Sequence, residues 1–353
     1  MNSSNALVSS AVPRTLSVVI PAFNAEGWIG GCIRRVMRAA DIGEIEISEL
    51  IVVDDGSTDG TVAEVDAVSI ECGSKIDLCS QPNQGRLAAR TSGLERATGD
   101  MVLFIDTRVH LDELALGFAF AQLDDPTRRV WTAHTTANTD FSPIAGFWQA
   151  IEHVAWRRYF KKPSTTSFGM MEFDFYPKGT TALIGPRQML TDAFDAFAPT
   201  VADWHKVNDD TAVLRWVAER TPINISPEYS SVYNARTTLS AFLRHAEHRG
   251  TVLIDGYLRP SARFAGPIVA VLAATPVGLW FFVRHPLKAI GLGVAGSVAA
   301  GAGVRALGAN GHDSRVLATY AMPFGVAYLT GMWRGVVLRV QWLLAHRREG
   351  RSS

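Results

Sequence analysis

Along the first third of the chain, short apolar runs are each stopped by proline, glycine or aspartate and followed by a stretch with helical spacing. Residues 16–21 read as a strand, 28–39 as a helix, 49–53 as a strand and 59–68 as a helix. A weak third strand at 76–78, a helix over 86–97 ended by Gly99, and a strand at 101–105 complete the alternation. Strands this uniformly apolar have to be covered on both faces. The pattern therefore predicts an α/β fold with a mostly parallel sheet and helices on both sides. In an open sheet of that type ligands bind beyond the carboxyl ends of the strands. The loops there are 21–26, 54–59 and 106–110, and polar residues, among them Glu26, Asp54, Asp55 and Asp106, fall in them.

The remainder of the chain has a different character. Its 34 Lys/Arg and 34 Asp/Glu cancel over 353 residues, but residues 261–353 hold ten bases and only two acids, Asp313 and Glu349. The same segment contains apolar runs at 265–283, 288–307 and 316–337, each about the ~20 residues a helix needs to cross a bilayer core. With bases flanking them and almost no acids, they predict a C-terminal membrane domain of two or three hydrophobic helices with a basic tail. The preferred topology lets 288–307 and 316–337 cross as a hairpin, with the proline-containing 265–283 interfacial; three full crossings are the alternative. No export signal follows the start, so the catalytic part is expected on the cytoplasmic face of the inner (cell) membrane, in a multi-pass protein. Three cysteines are too few for a disulfide framework and match no zinc spacing. No nucleic-acid-binding motif is present, and no nucleic acid partner is expected.

Four motifs carry the chemistry: TLSVVIPAFNAE (15–26), ELIVVDDGSTDGT (49–61), NQGRLAARTSGLERATGD (83–100) and MVLFIDTR (101–108). In this order and spacing they resemble the family 2 glycosyltransferases, which have the GT-A (Rossmann-like) fold. The resemblance is strong over 15–110 and looser to about 250. It implies a flexible leader (1–14), a GT-A domain (15–260) and the membrane domain (261–353). Within the GT-A domain, 15–125 would bind the nucleotide sugar and 126–260 the acceptor. A carboxylate at a strand end can accept hydrogen bonds from a base N–H or a ribose diol, which suits Asp54 and Asp55. The resemblance assigns the uracil contact to Asp55, backbone contacts to Pro21 and Ala22, and a place near base and ribose to Glu26, with Asn24 in the same loop. Gly85, Arg86 and Arg90, before or on the helix within the third motif, suit a diphosphate; for Arg90 a solvated helix face is the competing reading.

The family usually has Asp-x-Asp where this chain has Asp106-Thr107-Arg108. The resemblance implies Mg²⁺ or Mn²⁺ at that pair, and two readings stay open: Asp106 alone holds the cation, or Arg108 neutralises the diphosphate directly. The family's base lies about 100 residues further on, in a short acidic motif. Here VNDDT (207–211) precedes a helical stretch, giving Asp210 as base and Asp209 as capping or orienting partner. The loop at 178–181 (KGTT) resembles a family loop near the sugars. RHAEHRG (244–250) falls where relatives carry a basic motif, although Gly250 replaces the usual aromatic. His245, His248 and Arg249 then read as contacts to phosphate or to lipid headgroups.

The expected activity is inverting transfer of a sugar from a nucleotide-sugar donor, UDP favoured, to a lipid-linked or polyprenyl-phosphate acceptor, in cell-envelope glycan or glycolipid synthesis. Two other classes compete: a degenerate, non-catalytic GT-A membrane protein, and a sugar nucleotidyltransferase-like enzyme. The second would need a glycine-rich basic loop after the first strand, and 21–26 is not one.

Overall fold

The structure, a computed structural model, describes residues 15–139, 144–197, 209–235, 238–258 and 264–349. The leader at 1–14, Val207–Asn208 of the acidic motif and the basic tail from 350 lie outside the described residues, as do the side chains of Asp209 and 346–349.

The first half is a βα alternation: β1 (Thr15–Ala22), α1 (Ile29–Ile42), β2 (Glu46–Asp54), α2 (Thr61–Cys72), β3 (Ile76–Ser80), α3 (Arg86–Arg96) and β4 (Met101–Ile105). All four strands are parallel, in the order β3-β2-β1-β4. β1 and β4 are buried along nearly their whole length, which is why their sequences are continuous apolar runs. Leu16, Val18 and Ile20 face a core built with α1, and Val19 faces a second core built with α3. Gly93 of α3 stands against Val19, so that α3 lies close on the sheet.

The second half extends this sheet through short pieces: β5 (Val109–Leu111), α4 (Ala115–Phe120), β6 (Trp131–Thr132), β7 (His134–Ala137), α5 (Ala145–Ala155), α6 (Arg157–Phe160), β8 (Thr166–Phe168), β9 (Ala182–Pro186), α7 (Arg187–Asp195), α8 (Asp209–Ala218), β10 (Ile223–Ile225) and β11 (Ser230–Tyr233). β9 runs antiparallel between β4 and β6, and β10 and β8 complete an eight-stranded mixed sheet. A second sheet, β5-β11-β7, stands beside it. The parallel sheet expected from the sequence is thus the N-terminal half of a mixed one.

Four helices close the chain: α9 (Leu239–Tyr257), α10 (Ala265–Arg284), α11 (Pro286–Ala306) and α12 (Gly311–Glu349). α10 and α11 are long and apolar enough to cross a membrane, and they are barely buried within the protein. α12 differs. It runs back along α9 at backbone contact: Gly331 sits against the Glu247 carbonyl, Gly250 against that of Tyr328, and Gly335 against that of Thr251. Val316, Leu317 and Met332 are buried by this packing. By length and apolarity α10 and α11 have membrane character, and α11 also packs along α12, the neighbour expected for it as a hairpin. Part of the apolar surface of α12 is covered by α9 and α5, while Val326, Trp333, Val337, Val340, Leu343 and Leu344 remain exposed. α12 packs across the boundary drawn at 260, against α9 and α5.

Candidate active site

The ends of β1, β2 and β4 are neighbours in the sheet, so the three loops expected to bind ligand share one edge. The β1 and β2 loops are tied together. The backbone N–H of Asn24 donates to Ser57 Oγ at 2.9 Å, and Thr58 N–H donates to Asn24 Oδ1 at 2.9 Å. Glu26 N–H donates to Asp59 Oδ2 at 3.2 Å, while Gly60 N–H donates to Glu26 Oε2 at 3.0 Å. Asn24 takes a left-handed backbone (φ 48°), which asparagine tolerates better than most residues. Asn24 and Glu26 thus shape the double loop, with Ala22 buried at its root and Pro21 half-buried beside it.

Asp54 and Asp55 are each only 4% exposed. Ser57 N–H donates to Asp54 Oδ1 at 3.0 Å. Asp55 accepts three bonds, from Gln81 Nε2 at 2.8 Å, Gln84 N–H at 2.9 Å and Gly85 N–H at 2.8 Å. Both carboxylates therefore already serve the protein: Asp55 fixes the segment that launches α3, and Gly85 makes the turn at φ 93°.

Arg90 lies one turn into α3 and is 1% exposed, which excludes the solvated-face reading. Its Nη2 donates to Asp106 Oδ1 at 2.9 Å and its Nη1 to Asp210 Oδ1 at 3.0 Å. Thr180 Oγ1 also donates to Asp210 Oδ1, and Arg86 Nη2 stands 3.8 Å from Asp210 Oδ2. The Asp106 N–H donates to the Thr181 carbonyl at 3.0 Å, so the 178–181 loop closes on the site as its motif suggested. Burial opposes the charge on Asp210, but Arg86, Arg90 and Thr180 outweigh it and hold its carboxyl well below the usual range. Burial pushes Asp106 the other way, against the pull of Arg90 and Arg86. Asp209 opens α8 beside Asp210.

Arg108 is not brought into this cluster. Its guanidinium lies over the Trp28 ring, 4.3 Å from the centroid, at the start of α1. His110 packs against Gly31 of α1, as a structural histidine would.

A cavity of about 190 Å³ extends from Asp106, Asp210 and Arg86 toward α5 and α9. Its far wall holds Trp148, Glu152, Trp156, His245 and Arg249, with Lys178 at the side. Arg249 lies 5.5 Å from the Trp148 centroid and interacts electrostatically with both Asp210 and Glu152. It lines the cavity and keeps an exposed side chain. Burial pushes Glu152 up to about 7, with Arg249 pulling it down. Burial also lowers Lys178 to about 8. Glu152, Trp148 and Trp156 were not foreseen: they lie on helices far in sequence from the acidic motifs, and no spacing links them.

These donors fit a divalent cation poorly. The two carboxylates that face the cavity beside β4 are both bonded to Arg90, and a guanidinium stands where a second strand-end carboxylate would be. Among the described residues no three of His, Cys, Asp or Glu cluster as metal ligands.

Residues 17–128 match the family model described as Glycosyl transferase family 2. An undecaprenyl-phosphate 4-deoxy-4-formamido-L-arabinose transferase of Aeromonas hydrophila is 35% identical over 97 residues, 26% of this chain and 28% of that protein. An uncharacterized glycosyltransferase of Haemophilus influenzae is 34% identical over 93 residues, 26% and 35% of the two chains. A prophage bactoprenol glucosyl transferase homolog of Escherichia coli is 31% identical over 91 residues, 26% and 29%. The match thus spans about a third or less of these relatives' length. Among solved structures, S. aureus TarS 1-349 in complex with UDP-GlcNAc aligns at TM-score 0.48 and 16% identity, over 90% of each chain. Glucosyl-3-phosphoglycerate synthase from Mycobacterium tuberculosis with Mn²⁺, UDP and phosphoglyceric acid aligns at 0.45 and 18%, over 68% and 78%.

Proposed function

Taking residues 17–128 as a family 2 glycosyltransferase domain, we propose that the protein is an inverting glycosyltransferase. In this reading it moves a sugar from a nucleotide-sugar donor, UDP-linked by preference, to a lipid-linked or polyprenyl-phosphate acceptor at the cytoplasmic membrane face. The observation that carries this reading is the Asp106–Arg90–Asp210 bridge at the mouth of a cavity beside the β1, β2 and β4 loops.

The base and ribose lie against the double loop of Pro21–Glu26 and Asp54–Asp59, where Asn24, Glu26, Asp54 and Asp55 keep the backbone groups in place. The diphosphate reaches the first turn of α3, near Gly85, Arg86 and Arg90, where N–H groups and guanidinium donors are available. The sugar then projects past Asp106 toward the cavity, and the acceptor enters between Trp148, Trp156 and Arg249.

A hydroxyl acceptor attacking the anomeric carbon must lose a proton, and Asp210 is the carboxylate placed to receive it. Its pairing with Arg86 and Arg90 makes it a weak base in the free protein. An incoming diphosphate draws on the same arginines and adds negative charge beside Asp210, and both effects raise its affinity for a proton. A phosphate acceptor arrives already ionised and relies instead on Arg249 and Lys178.

The membrane assignment rests on α10 and α11, together with bases at their ends such as Arg284, Lys288 and Arg305. Two relatives bear names that specify undecaprenyl-phosphate and bactoprenol. The test offers labelled nucleotide sugars to membranes containing the protein. Label is expected in the lipid extract; label confined to water-soluble products, or absent with every donor, would contradict the proposal.

A further inference from the structure

We propose that this site neutralises the donor diphosphate with arginines alone, so that nucleotide binding requires neither Mg²⁺ nor Mn²⁺. The inference rests on the nucleotide-sugar reading above and concerns how that same site handles charge.

Three observations support it. First, Asp106 is already committed: its Oδ1 accepts from Arg90, which is sealed from solvent and bound equally to Asp210. A cation on Asp106 would be set beside a fixed guanidinium, with Arg86 3.8 Å from the neighbouring carboxylate. Second, guanidinium and ammonium groups surround the cavity: among the described residues Arg86, Lys178 and Arg249 line it beside Asp106, Asp210 and Glu152, and Arg90 stands behind the two aspartates.

Third, Arg108 occupies the position two residues after Asp106, where a second carboxylate would complete a cation site. Exchanging a carboxylate for a guanidinium alters the local charge by two units, which is the charge one divalent ion would bring. The Arg108 guanidinium lies over the Trp28 ring, 4.3 Å from its centroid, at the start of α1 and next to the loop after β1. A planar fork of donors matches phosphate oxygens, whereas the two carboxylates beside β4, Asp106 and Asp210, are already bonded to Arg90.

The experiment is calorimetric titration of the purified full-length protein in detergent with UDP, and with GDP and dTDP in parallel, in excess EDTA and again in MnCl₂. The affinity of wild type for the preferred nucleotide is expected to agree within about threefold between the two conditions. Arg108→Gln should weaken binding about tenfold in both, because charge is lost and no ligand is gained. Arg108→Asp should weaken it at least as much in EDTA and recover with Mn²⁺, since it restores the carboxylate pair. Wild-type binding seen only with Mn²⁺ would overturn this inference and leave the nucleotide-sugar reading standing. Both variants matching wild type in EDTA would overturn the role of Arg108. No binding of any nucleotide in either condition would overturn both.

Discussion

Asp106 at the end of β4 and Asp210 at the start of α8 are held by one guanidinium, that of Arg90, at 2.9 and 3.0 Å. About a hundred residues of chain separate them, so this bridge ties the parallel strands of the first half to a helix of the second. A buried charge shared between two carboxylates is costly to remove, because both partners are left uncompensated. Arg90→Met should therefore lower stability by about 3 kcal/mol, read by urea titration at neutral pH. A loss below about 0.5 kcal/mol would show that the bridge contributes little.

The role of Asp210 separates from folding in a conservative variant. Asp210→Asn keeps the shape and the Thr180 contact but cannot take a proton. With a hydroxyl acceptor, transfer should fall by about 10² or more, with nucleotide binding retained. Unchanged transfer would remove Asp210 as the base.

Glu152 gives a prediction with a definite sign. Burial raises its carboxyl from an ordinary 4.5 to about 7, against the opposing pull of Arg249, so the folded protein holds this proton more tightly than the unfolded chain. The protonated form is the one folding favours. Stability attributable to Glu152 is fully present below about 4.5 and is lost as pH rises to about 7. Glu152→Gln should thus match wild type near pH 4.5 and exceed it at pH 8, by at most about 3 kcal/mol. A difference independent of pH, followed by thermal denaturation, would contradict this.

The α9–α12 crossing makes a steric prediction. A methyl group at Gly331 would run into the Glu247 carbonyl, which is backbone and cannot swing aside. Gly331→Ala should destabilise the protein in detergent by about 1–3 kcal/mol despite alanine's better helix propensity. Gly296→Ala, on α11 with nothing nearby, should be neutral or slightly stabilising. Equal effects at both positions would argue against the close crossing.

The donor half was legible because its strands end on residues that stop them: Pro21, Asp54 and Asp106 mark the edge where β1, β2 and β4 present their loops. The acceptor half was not. β6 has two residues, and β8 and β10 have three each, too short for any periodicity, and their pairings join distant segments. The KGTT loop at 178–181 and Asp210 were found through motif resemblance, whereas Glu152 and Arg249 meet only through the packing of α5 on α9 and α12. Gly250, read as the loss of an aromatic, is the contact point for Tyr328 of α12. Residues 316–337 have the length and apolarity of a crossing helix, and only the packing shows that α9 and α5 cover part of that surface.

The claim beneath all of this is that the loops after β1 and β2 seat the nucleotide of an activated sugar. Photolabelling with a 5-azido-UDP-sugar, followed by peptide mass spectrometry, locates that seat directly. The account predicts cross-links in the peptides that carry Pro21–Glu26 or Asp54–Asp59, suppressed by excess UDP. Cross-links on other elements, or labelling that UDP does not displace, would contradict it.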